Sequence, residues 1–186
     1  LADQVADSIK NFGKNKNLNI LAVYGGTRIE SQIRKIPNSI ANLENLTEFY
    51  LWNNQIKEIP RSISCLKELE IFHIGGNQIA EIPTEITELK KLRTLLSHEN
   101  RINKIPTTIS RLQNLEFLHL GGNQIKEIPE AIAQLHNLTR LYLWQNQIQE
   151  IPEAIAQLHN LTLLNLGGNQ IQEIPEAIAQ RHNLTL

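Results

Sequence analysis

All seven prolines of this chain recur at a fixed step of 23 residues: Pro37, Pro60, Pro83, Pro106, Pro129, Pro152 and Pro175. Asparagines keep the same step at Asn54, Asn77, Asn100, Asn123, Asn146 and Asn169, and an isoleucine follows each by two positions. So strict a period restricts the chain to a stack of similar units, because no single unit can bury its apolar side alone. The unit reads LxxLxLxxNxIxxIPxxIxxLxx, as in LTRLYLWQNQIQEIPEAIAQLHN from Leu138 to Asn160. Six full units begin at Leu46, Leu69, Leu92, Leu115, Leu138 and Leu161, and a truncated seventh stops at Leu186.

Each position of the unit has a physical task. The LxL core alternates inward side chains along a short strand, and stacking sets that strand parallel to its neighbours. The asparagine sits where the chain leaves the strand, with an amide able to satisfy backbone groups of adjacent turns. Proline fixes φ and starts a return segment whose isoleucine and leucine point back inward. This pattern resembles the leucine-rich repeat family. The resemblance implies an α/β, right-handed curved solenoid with parallel strands on the concave face and short helical or 3₁₀ returns. The IPxxIxxL return is similar to that of the cytoplasmic Ras-group repeats and the repeat domains of Roco proteins. That likeness implies a cytoplasmic, non-catalytic scaffold for protein–protein interaction.

A second period overlies the first. Eight of the nine glycines are paired, at Gly25-Gly26, Gly75-Gly76, Gly121-Gly122 and Gly167-Gly168, and the last three pairs lie 46 residues apart. Units with GGN therefore alternate with bulkier ones (LWNN, LSHEN, LWQN), as duplication of a two-repeat block produces. The first pair is displaced by four, which predicts a four-residue insertion between Thr27 and Pro37.

Residues 1–45 depart from the repeat and are expected to form an N-terminal helix–strand cap ahead of the repeats at 46–186. Leu1, Val5, Ile9 and Phe12 recur at helical spacing over 1–17, and Leu18 to Tyr24 reads as an apolar strand. The stretch LADQVADSIKNFGKNKNLNILAVYGGTRIESQIRKI also resembles part of the first RecA-like domain of DEAD-box RNA helicases. In that likeness Leu1-Ala2 end the PTRELA motif, Gln4-Val5 continue it, and Gly25-Gly26 are the GG motif before Gln32-Ile33. The family places this neighbourhood against an RNA backbone, which makes Gly25 and Gly26 the nucleic-acid candidates. The GK[ST] phosphate loop, the DEAD tetrapeptide and the SAT motif are missing from this sequence. A start at Leu1 and a helicase-like segment in repeat register leave a natural fragment, an engineered chimera and a chain with no evolved partner all open.

Composition narrows the function classes. Eighteen basic against 19 acidic residues, a formal charge of -1, lack the basic excess of a general nucleic-acid binder. No apolar run approaches the roughly 18 residues a membrane span needs. One cysteine precludes an intrachain disulfide framework and fits a reducing compartment. Asp3 and Asp7 are the only aspartates, so no Ser-His-Asp set can form within the repeats. Glu58, Glu81, Glu127, Glu150 and Glu173 hold one repeat position and read as a solvated column. Cys65 aligns with Gln134 and Gln157 and has no base indicated. His136, His159 and His182 belong to a copied HNL triplet. His73 and His119 share a column two repeats apart, roughly 10 Å, too far for one metal ion. No catalytic residue, metal site or cofactor is expected.

The expected binding surface is the concave face. Its central column is Tyr50, His73, Leu96, His119, Tyr142 and Asn165; beside it run Trp52, Gly75, His98, Gly121, Trp144 and Gly167, and before it Glu48, Ile71, Thr94, Phe117, Arg140 and Leu163. Aromatic side chains and arginine at strand positions that need no bulk for folding mark Tyr50, Trp52, His73, His98, Phe117, His119, Arg140, Tyr142 and Trp144 as the protein-binding candidates. The competing explanation is that Tyr50/Trp52 and Tyr142/Trp144 are copies that merely pack sideways over the adjacent glycine pairs. Ser97 interrupts the inward leucine column. At the carboxyl end no cap follows Leu184-Thr185-Leu186, so Leu161, Leu164, Leu166, Ile171 and Ile178 are expected to lack a cover. Arg181 replaces the leucine of Leu135 and Leu158 there. Fraying after about Gln170 or self-association through this end is the expectation.

Overall fold

The computed structural model describes residues 18–24, 32–180 and 184–185. Each LxL motif forms one three-residue strand: β1 Ile20–Ala22, β2 Glu48–Tyr50, β3 Ile71–His73, β4 Thr94–Leu96, β5 Phe117–His119, β6 Arg140–Tyr142 and β7 Leu163–Asn165. They join in sequence order into one parallel seven-stranded sheet. The register advances by 23 residues from β2 to β7, so equivalent side chains fall in straight rows. The middle residue of every strand points inward, and Phe49, Phe72, Leu95, Leu118, Leu141 and Leu164 are each fully buried.

The returns are five-residue 3₁₀ turns, Asn38–Asn42, Arg61–Cys65, Thr84–Glu88, Thr107–Arg111, Glu130–Gln134 and Glu153–Gln157. Each proline stands just before its turn in an extended conformation, as Pro60 does at φ -69 and ψ 150. It presets the entry rather than occupying the first helical position, and its carbonyl accepts the first turn bond, from Ile63 N–H in that repeat. The last return instead forms a four-residue α-helix, Glu176–Ala179. Inward isoleucines from these returns, Ile40, Ile63, Ile86, Ile109, Ile132 and Ile155, close the core opposite the sheet.

The asparagines link the units. Asn77 donates from Nδ2 to the Leu51 carbonyl at 2.9 Å, and its Oδ1 accepts from Ile56 N–H at 3.0 Å, both in the preceding repeat. Asn100, Asn123, Asn146 and Asn169 repeat both bonds. Asn54 makes the same pair to Val23 and Ile33, so the described part of the N-terminal segment stacks as a unit of the array. Its spacing differs, however. β1 pairs with β2 at a step of 28 residues, while Ile33 to Ile56 keeps 23, so five extra residues fall between Tyr24 and Ile33. The glycine pairs predicted four. The helix expected over 1–17 and the Gly25-Gly26 pair lie outside the described residues.

The carboxyl end is better covered than the sequence suggests. Thr185 bridges in parallel to Leu163, Leu164 N–H donates to the Thr185 carbonyl at 2.8 Å, and Leu184 packs on the core. Leu161, Leu164 and Ile178 are consequently buried, and Leu166 and Ile171 half-buried. Leu184 and Thr185 supply an extra rung, which the expectation of an open end ignored. Ile174 remains 48% exposed.

Candidate functional site

The strand rows put the nine candidate residues on one surface, in contact. Trp52 stacks on His73, with ring centroids 6.2 Å apart and 9° between planes. His73 lies 5.3 Å from His98, which lies 4.4 Å from His119. His119 stacks on Tyr142 at 5.0 Å and meets Trp144 edge-on at 5.8 Å. Tyr50 meets His73 edge-on, Phe117 packs 5.2 Å from Tyr142, and the Arg140 guanidinium sits 4.4 Å over the Phe117 ring. The outcome is a continuous ribbon of rings crossing β2 to β6. Sequence reasoning missed one member: Tyr24, beyond the end of β1, packs 5.5 Å from Trp52 and is 55% exposed. The apolar run from Ile20 to Tyr24 was the available signal, hidden by the 28-residue step.

The glycine pairs have two separate structural duties. A Cβ on Gly75 would lie 2.6 Å from the His98 ring, and one on Gly121 only 2.4 Å from the Trp144 ring. Each of these rings therefore lies flat on the glycine of the preceding repeat. The position after it is left-handed in every alternate unit, at φ 63 in Gly76 and 67 in Gly122. Asn53, Glu99 and Gln145 adopt the same conformation between them. The expectation that these strand-end positions need no bulk is thus corrected: His98 and Trp144 fill space that the glycines leave, in the case of Trp144 as the competing explanation expected. Their outer faces remain at the surface.

The centre of the ribbon is uncharged. Burial, and then the neighbouring His98, pushes His73 down to about 4 from the ordinary 6.5. Burial followed by His98 and His73 lowers His119 to about 4 as well. His98 is lowered by burial, against which the Glu99 carboxylate works. Gly121 N–H donates to His119 Nδ1 at 3.3 Å, which leaves the ring proton on Nε2. His73 Nε2 and His98 Nδ1 are buried with no hydrogen-bond partner. Tyr50 donates to Glu48 Oε2 at 2.8 Å; desolvation and then this bond push its phenol up to about 12.

Among the described residues no three His, Cys, Asp or Glu side chains are placed to share a metal ion. Cys65 is exposed at the end of its 3₁₀ turn. No helix among the described residues is long and apolar enough to cross a membrane. The arrangement offers a broad, shallow, aromatic surface.

A family model for leucine-rich repeats, in two copies per match, aligns with residues 44–86, 113–154 and 136–180, more than half of the chain. The chain belongs to the leucine-rich repeat family. Its fold is similar to a leucine-rich repeat protein of Leptospira interrogans (TM-score 0.83, 34% identity), of which it spans 49% while 94% of this chain is covered. It is also similar to an internalin of Listeria monocytogenes (TM-score 0.80, 27% identity, 94% of this chain and 48% of the other). The plant peptide hormone receptor RGFR1 in complex with RGF2 matches with TM-score 0.81 and 29% identity, over 93% of this chain and 28% of the receptor. The repeat array thus spans about half, or less, of these longer proteins. No curated protein sequence matches it.

Proposed function

We propose that this leucine-rich repeat chain is a non-catalytic protein-binding module that takes its partner on the concave face. The observation that carries this is the ring ribbon from Tyr24 to Trp144. It presents large, rigid side chains along one surface, and such residues dominate protein interfaces at low entropic cost. The neutral histidines suit a partner whose contact surface is apolar or uncharged, with Glu48, Glu99 and Arg140 supplying charge around them. A receptor among the similar structures is in complex with RGF2, which supports the reading. The resemblance of the IPxxIxxL return segments to those of Ras-group repeats supports a scaffold role.

The decisive experiment is affinity capture with the wild-type chain against Trp52→Ala and Trp144→Ala variants. One saturable protein partner, lost in both variants while circular dichroism is unchanged, is the expected result. Partner binding unaffected by either variant would remove the concave face from consideration. RNA contact through Gly25-Gly26 predicts instead a salt-dependent RNA affinity that is indifferent to both tryptophans. ATP turnover stimulated by RNA would contradict the non-catalytic reading outright. A second contact is proposed at the carboxyl end, where Ile174 is exposed beside half-buried Ile171. Light scattering over a wide concentration range tests it, with self-association abolished by Ile174→Lys as the expected outcome.

A further inference from the structure

We propose that His73, His98 and His119 act as one acid-responsive unit that holds the ring ribbon together when neutral and parts it when charged. The proposal rests on the concave-face reading for its consequence, which is release of the partner. The switch itself is a property of the free chain.

The three rings are the only ring link between the Tyr24, Tyr50 and Trp52 cluster and the Phe117, Tyr142 and Trp144 cluster among the described residues. His98 cannot sink further, because its ring already lies on the Gly75 backbone. A neutral imidazole tolerates an unpartnered nitrogen as a lone pair. An imidazolium makes both nitrogens donors, and His73 Nε2 and His98 Nδ1 are buried where nothing accepts. Charging either ring therefore favours its movement outward to water, and with it the loss of its stacking contacts.

The charged and titratable groups around the unit do not offset this. From β2, Glu48 is engaged by the Tyr50 hydroxyl. From the turn after β4, Glu99 favours a proton on His98 without a hydrogen bond to it. Beside β5, Glu116 is held by Arg93 at 2.7 Å. From β6, Arg140 is a further positive charge, placed over Phe117, and Tyr142 stacks on His119. His98 lies between the other two rings, so the first proton, drawn there by Glu99, opposes charge on both neighbours. The unit accordingly loads protons in sequence, with His98 as the trigger.

The test is an NMR titration of the histidine ring signals from pH 7.5 to 3.5, assigned with His73→Gln, His98→Gln and His119→Gln. Far-ultraviolet circular dichroism and acrylamide quenching of the tryptophans are followed on the same samples. His73 and His119 should titrate near pH 4, well below the ordinary 6.5. Indole quenching should rise about twofold over the acid interval as the rings leave their seats, while the strand signal holds. In His98→Gln the other two midpoints should move up by about half a pH unit, since one like charge is gone. Midpoints near 6.5, or quenching flat across the titration, would overturn the proposal. Loss of the strand signal over the same interval in both wild type and His98→Gln would overturn it too, since acid would then act on the whole fold. If the titration behaves as stated and no protein partner is found, the switch stands and the binding reading falls.

Discussion

The two faces of the same seven strands follow opposite rules. Inward residues scarcely vary: the middle position is Phe or Leu in every strand, fully buried from β2 to β7, and the asparagine bonds recur in every unit. Outward residues vary from unit to unit, between tyrosine, histidine, leucine and asparagine in the central row. Stacking demands identical inward shapes, because each repeat is both lid and floor to its neighbours. The concave face carries no such demand except at the glycine seats. Uniformity therefore reports on folding, and departures from it report either on function or on faults in the array.

The largest expected effect lies on the uniform side. Asn100→Ala removes a side chain that bridges two repeats and leaves the buried Ile79 N–H without a partner, while the Ile74 carbonyl keeps its bond from Asn77. The orphaned donor costs about 1–3 kcal/mol and the lost bonds to shared carbonyls add to it, so a loss of about 3 kcal/mol in unfolding free energy is expected. Urea denaturation measures it. A loss below about 1 kcal/mol would mean that the ladder is decoration and the comparison of faces is misdrawn.

On the variable side, Trp144→Ala should cost about 2 kcal/mol in partner affinity and under about 1 kcal/mol in stability. Gly121→Ala should weaken binding in the same direction, because its Cβ needs the space that the Trp144 ring occupies. The two substitutions together should cost less than their sum, since both displace one ring. The reverse pattern, large stability loss with affinity unchanged, would assign the tryptophan to packing.

Acid separates the faces by a smaller amount. His73 and His119 titrate near 4 in the fold against 6.5 when unfolded, so the unfolded chain holds more protons between these values. Their contribution to stability is complete above pH 6.5, declines as pH falls, and is gone below about 4. Half-exposed rings justify roughly 1 kcal/mol each rather than the full shift. Thermal denaturation of wild type and His73→Gln at pH 7 and pH 4.5 should show a smaller acid loss in the variant.

The same distinction decides what could be read in advance. Strand rows, inward columns and the asparagine ladder followed from the 23-residue step, because a stack repeats its geometry along with its letters. The concave rows Tyr50 to Asn165 and Glu48 to Leu163 came with it. Three things did not. Tyr24 lies outside the period, so no alignment of repeats could place it beside Trp52. The seating of His98 on Gly75 depends on ring direction, which letters do not specify. Closure of Leu161 and Leu164 by Thr185 required seeing that a stub as short as Leu184-Thr185 makes a rung.

The smallest expected effect is a gain, and it tests whether departures on the uniform face carry function. Ser97 stands in the inward column between Ile74 and Leu120, is 1% exposed, and its hydroxyl has no hydrogen-bond partner. Its backbone is fully used: the N–H donates to the His119 carbonyl, and its own carbonyl accepts from Asn100 and Asn123. Only the hydroxyl is out of place, so Ser97→Ala removes the buried unsatisfied group without touching the ladder. A stabilisation of about 1 kcal/mol follows, near the lower end of what an unpaired buried polar group costs. Partner affinity should be unchanged, because the side chain faces away from the concave surface. Equal stability of the variant and wild type would mean that the hydroxyl is already satisfied. Stabilisation accompanied by weaker binding would instead make Ser97 a site where the array gives up packing for function, through the adjoining His98.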